Sequence, residues 1–340
     1  MDTAPAVGGG RGGAGVEEQQ EVAELPQLLL FAPPSPPFLG LLAKSFRLLK
    51  PWEEESMSTQ QFLTTQAQSV RALACIGLFQ IDSEILRCLP SLQLVVATSV
   101  GVDHVDLAEC RRRGIAVTNA GPSFAEDCAD LAVGLLLDVL RRISAADRYV
   151  RQGLWPIKGD FPLGSKLGGK RVGIIGLGNI GSEVAKRLEA FGCNISYNSR
   201  KKKPSVAFPF YSNVHDLAAN SDVLILSGAL TKETYHIIDR DVLLAMGEKG
   251  VIINVGRGAL IDEKELVRCL VKGEIGGAGL DVYENEPDVP KELLVLDNVV
   301  LSPHKAALTP ESIAASGKMA VANLEAFFAG KPLLSPVKDE

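Results

Sequence analysis

The sequence predicts an α/β protein of two doubly wound domains, the first of them discontinuous along the chain. Three observations lead there. Short apolar runs alternate with helical patterns over most of the 340 residues. A glycine-rich turn stands directly after one such run, near the middle. A last helical pattern follows the final strand, in a position to pack back on the first domain. The length suits two domains of ordinary size.

Residues 28–32 read as a first strand, with a proline-rich turn at 33–37. Further apolar runs at 73–79 and 92–98 and a short one at 115–117, with helical stretches between them, predict a small βα domain. Residues 126–142 place Leu131, Val133, Leu135, Leu136, Val139 and Leu140 at spacings that predict a long, mostly buried helix crossing between domains. Residues 147–163 read as an irregular arm, and Trp155 within it is the kind of aromatic that marks an interface. Strand patterns return at 172–175, 195–197, 223–226, 251–255, 279–282 and 299–302, with a helix at 263–271. Residues 310–329 predict the closing helix, with Thr309 as N-cap and Pro310 in its first position.

Composition narrows the function. At 46% hydrophobic and 22% charged the chain has the profile of a well-packed soluble protein, and its net charge of -6 gives no support for nucleic-acid binding. No apolar run is long enough for a membrane span. The six cysteines are scattered without a C-x-x-C pair, which predicts reduced thiols and no metal framework. Residues 1–27, rich in Gly, Ala and Glu, read as a disordered extension that lacks the apolar core of a signal peptide. The expected location is the cytoplasm.

The central motif is Gly176-Leu177-Gly178-Asn179-Ile180-Gly181, between the run 172–175 and a helical pattern of Ile180, Val184, Ala185, Leu188 and Phe191. Strand, G-x-G-x-x-G, helix and second strand fit within about 30 residues, the context that dinucleotide binding requires. Gly176 permits the tight turn, Gly178 lets the backbone approach a pyrophosphate, and Gly181 lets helix lie close to strand. In NAD enzymes of this fold an acidic residue about 20 positions further on bonds the ribose. Here Ser199 occupies that region, followed by Arg200, Lys201, Lys202 and Lys203. A hydroxyl and several cations favour a 2′-phosphate, so NADP(H) is expected ahead of NAD(H). The division is then a Rossmann-like domain over 126–305 and a flavodoxin-like substrate domain over 28–125 with 306–340.

Three residues follow strand ends at the edge where a nicotinamide would lie: Arg257 in NVGRG, Glu286 in YENEP and His304 in LSPH. Hydride delivery to a ketone builds charge on its oxygen, so the site needs a proton donor and a cation. His304 can donate the proton, a carboxylate at Glu286 favours the imidazolium, and Arg257 can bind a substrate carboxylate and polarise the carbonyl. Asp281, at another strand end, is a candidate acceptor for the nicotinamide amide. His104, His215 and His236 show no comparable partners and receive no role.

In this order and spacing GLGNIG, NVGRGALID, GAGLDVYENEP and LSPH resemble the D-isomer-specific 2-hydroxyacid dehydrogenase family, from Leu28 onward. RRISAADRYVRQGLW, ISYNSRKKKP and FFAGKPLLSPV are closest to its hydroxypyruvate/glyoxylate and hydroxyphenylpyruvate reductase branches. The resemblance implies Arg257, Glu286 and His304 as the catalytic set, and backbone N–H groups of Val100 and Gly101 as binders of the substrate carboxylate. It further implies cofactor contacts from the phosphate turn, Ser199, Arg200, Lys201, Ser227, Gly228, Ala229, Val255, Gly256 and Asp281, a 2-oxo acid substrate, and a homodimer embraced by the arm around Trp155. Ala229 stands where relatives carry proline, Lys305 where they carry a small uncharged residue, and Asp130 where they carry glutamate. Glu286 disfavours a formate dehydrogenase, which has glutamine there, and the short stretch after His304 disfavours a phosphoglycerate dehydrogenase with a regulatory domain. The rival of another class is a dinucleotide-sensing scaffold like the corepressors that share the fold.

Overall fold

A computed structural model describes residues 25–338. The expected extension 1–27 lies outside the described residues apart from Leu25, Pro26 and Gln27, and Gln27 already opens the first strand. Two all-parallel sheets form. The first has β1 (Gln27–Leu30), β2 (Arg47–Leu49), β3 (Ala72–Cys75), β4 (Leu94–Ala97) and β5 (Ala116–Thr118), in the order β2-β1-β3-β4-β5. The second has β6 (Arg171–Ile175), β7 (Asn194–Asn198), β8 (Val223–Leu226), β9 (Val251–Asn254), β10 (Gly277–Leu280) and β11 (Val299–Leu301), in the order β11-β10-β9-β8-β6-β7. Chain order reverses at β6, where Ile175 pairs with Leu226 on one side and Asn198 on the other. Doubly wound sheets bind ligands at such a switch point.

The central strands are almost wholly apolar because helices cover both faces. β3, β4, β8 and β9 are buried along their whole length. The Ala125–Arg141 helix lies across β9 and β10. Its approach depends on glycine: a Cβ at Gly277 would stand 2.8 Å from Val139, and one at Gly279 would stand 3.0 Å from the Leu135 Cβ. Leu136 on that helix is fully buried, so truncation to alanine would cost about 2–5 kcal/mol. Asp130, on its outer side, pairs with Arg187 of the Asn179–Ala190 helix at 2.5 Å.

The closing helix runs over Pro310–Phe328, and Thr309 caps it in a reciprocal pair with Ser312. Its Ala320 and Leu324 join the core formed by Leu28, Leu30 and Val96 of the first sheet and Phe38 of the Pro36–Ser45 helix. The chain therefore returns to the first unit after completing the second. The arm is a correction. Residues expected to be irregular form a helix over Ile143–Arg151 and a single turn over Trp155–Lys158. Arg142, at φ 58°, makes the corner with the preceding helix, and the Tyr149 hydroxyl donates to Gly159 O at 3.0 Å to fold the arm back. Among the described residues no helix is long and apolar enough to cross a membrane.

Candidate active site

The phosphate turn is built by close backbone approach. Gly176 has φ +91°, and a Cβ on it would stand 2.5 Å from Gly228 Cα. A Cβ at Gly181 would lie 2.3 Å from Gly176 O, so the helix start packs directly on the turn. The Ser227 hydroxyl donates to Gly176 O at 2.9 Å and ties the β8 loop to it. Gly178 is the N-cap of the Asn179–Ala190 helix and faces open space, so no side chain accepts from the first-turn N–H groups. Those groups and the helix dipole suit a pyrophosphate, and the residues present fit a dinucleotide. The loop is closed at Ala229, whose O accepts from the Thr234 hydroxyl at 2.8 Å. After β7, the Ser199 hydroxyl donates to Lys201 O at 2.7 Å, and Arg200 and Lys201 are exposed beside it. Lys203 turns inward instead, its ammonium donating to Leu177 O in the phosphate turn. Val255 and Gly256 sit deep in the β9 loop, where Gly256 N donates to the Asn254 side chain at 3.0 Å.

Arg257, Glu286 and His304 all follow the carboxyl ends of β9, β10 and β11. His304 Nδ1 and Glu286 Oε2 are 2.6 Å apart, and both side chains are about one third exposed (30% and 32%). Glu286 is held in turn, because its Oε1 accepts from Tyr283 N at 3.0 Å. With Nδ1 engaged, Nε2 is the ring nitrogen left for another partner. His304 takes φ 55°, a left-handed conformation that a non-glycine residue adopts only when its surroundings impose it. Asp281 imposes it. Its carbonyl accepts from His304 N at 2.8 Å, and its two carboxylate oxygens accept from Lys305 N and Ala306 N, each at 2.8 Å. Asp281 thus shapes the histidine loop, a role the sequence did not suggest. Lys305 contributes its backbone there, and its side chain is exposed.

The loop after β4 comes from the other sheet and meets Arg257. Val100 O accepts from the Asn119 side chain at 3.0 Å and Gly101 O from the Ser99 hydroxyl at 2.8 Å. The N–H groups of Val100 and Gly101 have no acceptor among the described residues. The Arg257 guanidinium lies so close over Gly101 that a Cβ there would fall 2.1 Å from Nη2. Only glycine fits.

Asp103 is the site residue that sequence reasoning missed. It accepts from Arg257 Nε at 3.1 Å and pairs with Nη2 at 3.0 Å. Burial pushes its carboxyl up, but the Arg257 charge and hydrogen bond outweigh burial and hold it below the ordinary carboxylate range. His104, beside it, is 3% exposed with neither ring nitrogen hydrogen-bonded, and burial pushes its imidazole down. His236 is a second correction. Its Nε2 lies 3.0 Å from Glu284 Oε1, and Glu284 N donates to Glu263 at 3.0 Å, which steadies the segment that carries Glu286. A histidine-rich or metal-like spacing would have drawn attention to these residues, and neither exists here.

Comparisons with known proteins give the family. Residues 133–306 match the model of the D-isomer specific 2-hydroxyacid dehydrogenase NAD binding domain. A glyoxylate/hydroxypyruvate reductase of Arabidopsis thaliana is 58% identical over 94% of this chain and 99% of its own. The chain belongs to the D-isomer specific 2-hydroxyacid dehydrogenase family. Another relative, the hydroxyphenylpyruvate reductase of Plectranthus scutellarioides, is 50% identical over 91% of this chain and 98% of its own. Among solved structures, an NADPH-dependent glyoxylate/hydroxypyruvate reductase of Sinorhizobium meliloti, in complex with NADP and malonate, superposes with a TM-score of 0.84. It is 38% identical and covers 92% of this chain and 96% of its own. As a 2-hydroxyacid dehydrogenase the protein is an oxidoreductase with an NAD(P)-binding domain.

Proposed function

We propose that the protein reduces small 2-oxo acids with NADPH, hydroxypyruvate to D-glycerate and glyoxylate to glycolate. The observation that carries the reading is the His304–Glu286 pair at 2.6 Å, on the same sheet edge as Arg257, which lies over the Gly101 backbone. The N–H groups of Val100 and Gly101 bind the substrate carboxylate, and Arg257 draws electron density to the keto oxygen. When bound, the nicotinamide supplies the hydride to the carbonyl carbon. His304 Nε2 gives the proton to the oxygen, and Glu286 holds the imidazolium through Nδ1 until it does. Gly176, Leu177, Gly178, Asn179, Ile180 and Gly181 hold the pyrophosphate. Ser227, Gly228, Ala229, Val255 and Gly256 line the nicotinamide side, and the remaining lone pairs of Asp281 are the acceptors we assign to its amide. Ser199, Arg200 and Lys201 take the 2′-phosphate. The substrate unit is 28–125 with 306–340, the cofactor unit 126–305, and the cytoplasm is the compartment.

A second reading is reduction of an aryl-substituted 2-oxo acid such as hydroxyphenylpyruvate. Phe31 and Phe79, stacked at 4.7 Å, follow β1 and β3, and Gly77 N in that second loop donates to the Thr98 hydroxyl at 3.3 Å, next to the loop of Val100. In this reading the pair serves as an apolar wall for the aryl group, which glyoxylate does not need. Both readings are tested by following cofactor oxidation with hydroxypyruvate, glyoxylate, pyruvate and hydroxyphenylpyruvate. Turnover with NADPH is expected, and its ranking chooses between the readings. Arg200→Ala should raise the KM for NADPH roughly tenfold or more while moving that for NADH little, the scale of one charged hydrogen bond. An unchanged cofactor ratio would remove the 2′-phosphate assignment. Inert mixtures in which NADPH still binds would favour the scaffold.

A further inference from the structure

Arg257 lies in the loop after β9 of the second sheet, yet the group that orients it lies in the loop after β4 of the first. Its guanidinium has five N–H donors in a rigid plane. Asp103 takes the side edge through Nε at 3.1 Å and Nη2 at 3.0 Å. Gly256 O, one residue back along the chain, accepts from Nη1 at 3.0 Å. One N–H on Nη1 and one on Nη2 are left. In guanidinium geometry they point the same way, along the end edge, and the plane already lies over Gly101. Two parallel donors are what the keto oxygen and one carboxylate oxygen of a 2-oxo acid require.

We propose that Asp103 is the positioning residue of the active site, clamping Arg257 by its side edge so that its end edge is presented to the 2-oxo acid. The proposal rests on the reading of Arg257 as the substrate-binding cation. Asp103 touches neither substrate nor cofactor in this scheme and acts only through Arg257. Because the two residues come from different sheets, the guanidinium is oriented only while the two units hold the arrangement seen here. A chain that opened between the sheets would release the clamp, and the substrate cation would lose its aim.

The test compares Asp103→Ala and Asp103→Asn with wild type. Asp103→Ala should lower kcat on the order of 10²-fold, the scale of a misaimed polarising group, with NADPH affinity unchanged. Asp103→Asn, which keeps one acceptor oxygen, should recover part of that loss. A purely structural role would lower the thermal midpoint and leave kcat per folded enzyme unchanged. A second readout needs no substrate. Phenylglyoxal labelling of Arg257, mapped by mass spectrometry, should be faster in Asp103→Ala because the side edge is uncovered. An unchanged kcat, a lower KM at unchanged kcat, or an unchanged labelling rate would each overturn the clamp. If wild type turned over no 2-oxo acid, the reductase reading would fall, and the labelling rate alone would decide whether Asp103 holds Arg257.

Discussion

At His304 the protein fixes a ring from three sides. Nδ1 is engaged by Glu286, the backbone N by Asp281 O, and the next two N–H groups by the Asp281 carboxylate. That leaves Nε2 as the ring nitrogen open to another partner, in a fixed direction. His304→Ala should lower reduction by about 10²–10⁴-fold, the usual worth of a positioned general acid. A fluorescence titration of the variant with NADPH should match wild type, and wild-type turnover would exclude His304 as the donor. His304, Glu286 and Arg257 could be named from the sequence because each follows a strand end recognisable by its apolar run. Asp103 could not be. It sits far from Arg257 in sequence, and its neighbours Val102 and His104 give no chemical signal.

Among the elements, the strands and the long helix follow from apolar spacing, while their ends often do not. β10 was expected at 279–282 and forms at Gly277–Leu280, because Gly277 and Gly279 look like boundary residues in sequence. They are strand residues there since the Ala125–Arg141 helix leaves no room for a Cβ. The same reasoning gives a prediction for Gly258, which starts the turn after Arg257. A Cβ there would stand 1.9 Å from Tyr283 C and 2.4 Å from Glu284 N, in the segment that carries Glu286. Gly258→Ala should therefore damage both the Arg257 and the Glu286 loops. We expect a lower thermal midpoint together with a loss of activity larger than the stability change explains at the assay temperature. Full activity in a normally folded variant would show that the two loops are not coupled through this contact.

For the molecule as a whole, the arm carries one close group of exposed apolar side chains. Trp155 is 62% exposed, Ile157 78% and Leu163 96%, exposures that a chain stable on its own seldom concentrates in one short segment. A homodimer through this arm is the expected state, and Ile157→Asp should shift the mass seen by light scattering toward a single chain. A wild-type protein that is itself monomeric would reject the arm as an interface. The fold class, the glycine turn and the placement of Arg257, Glu286 and His304 after strand ends were determined by the sequence alone, because they depend on local periodicity and on residues a few positions apart. The helical arm, the Asp103–Arg257 pair across the two sheets and the His236–Glu284 contact were decided by the tertiary structure. Each depends on which surfaces meet after distant segments pack, and no local pattern in the chain encodes that meeting.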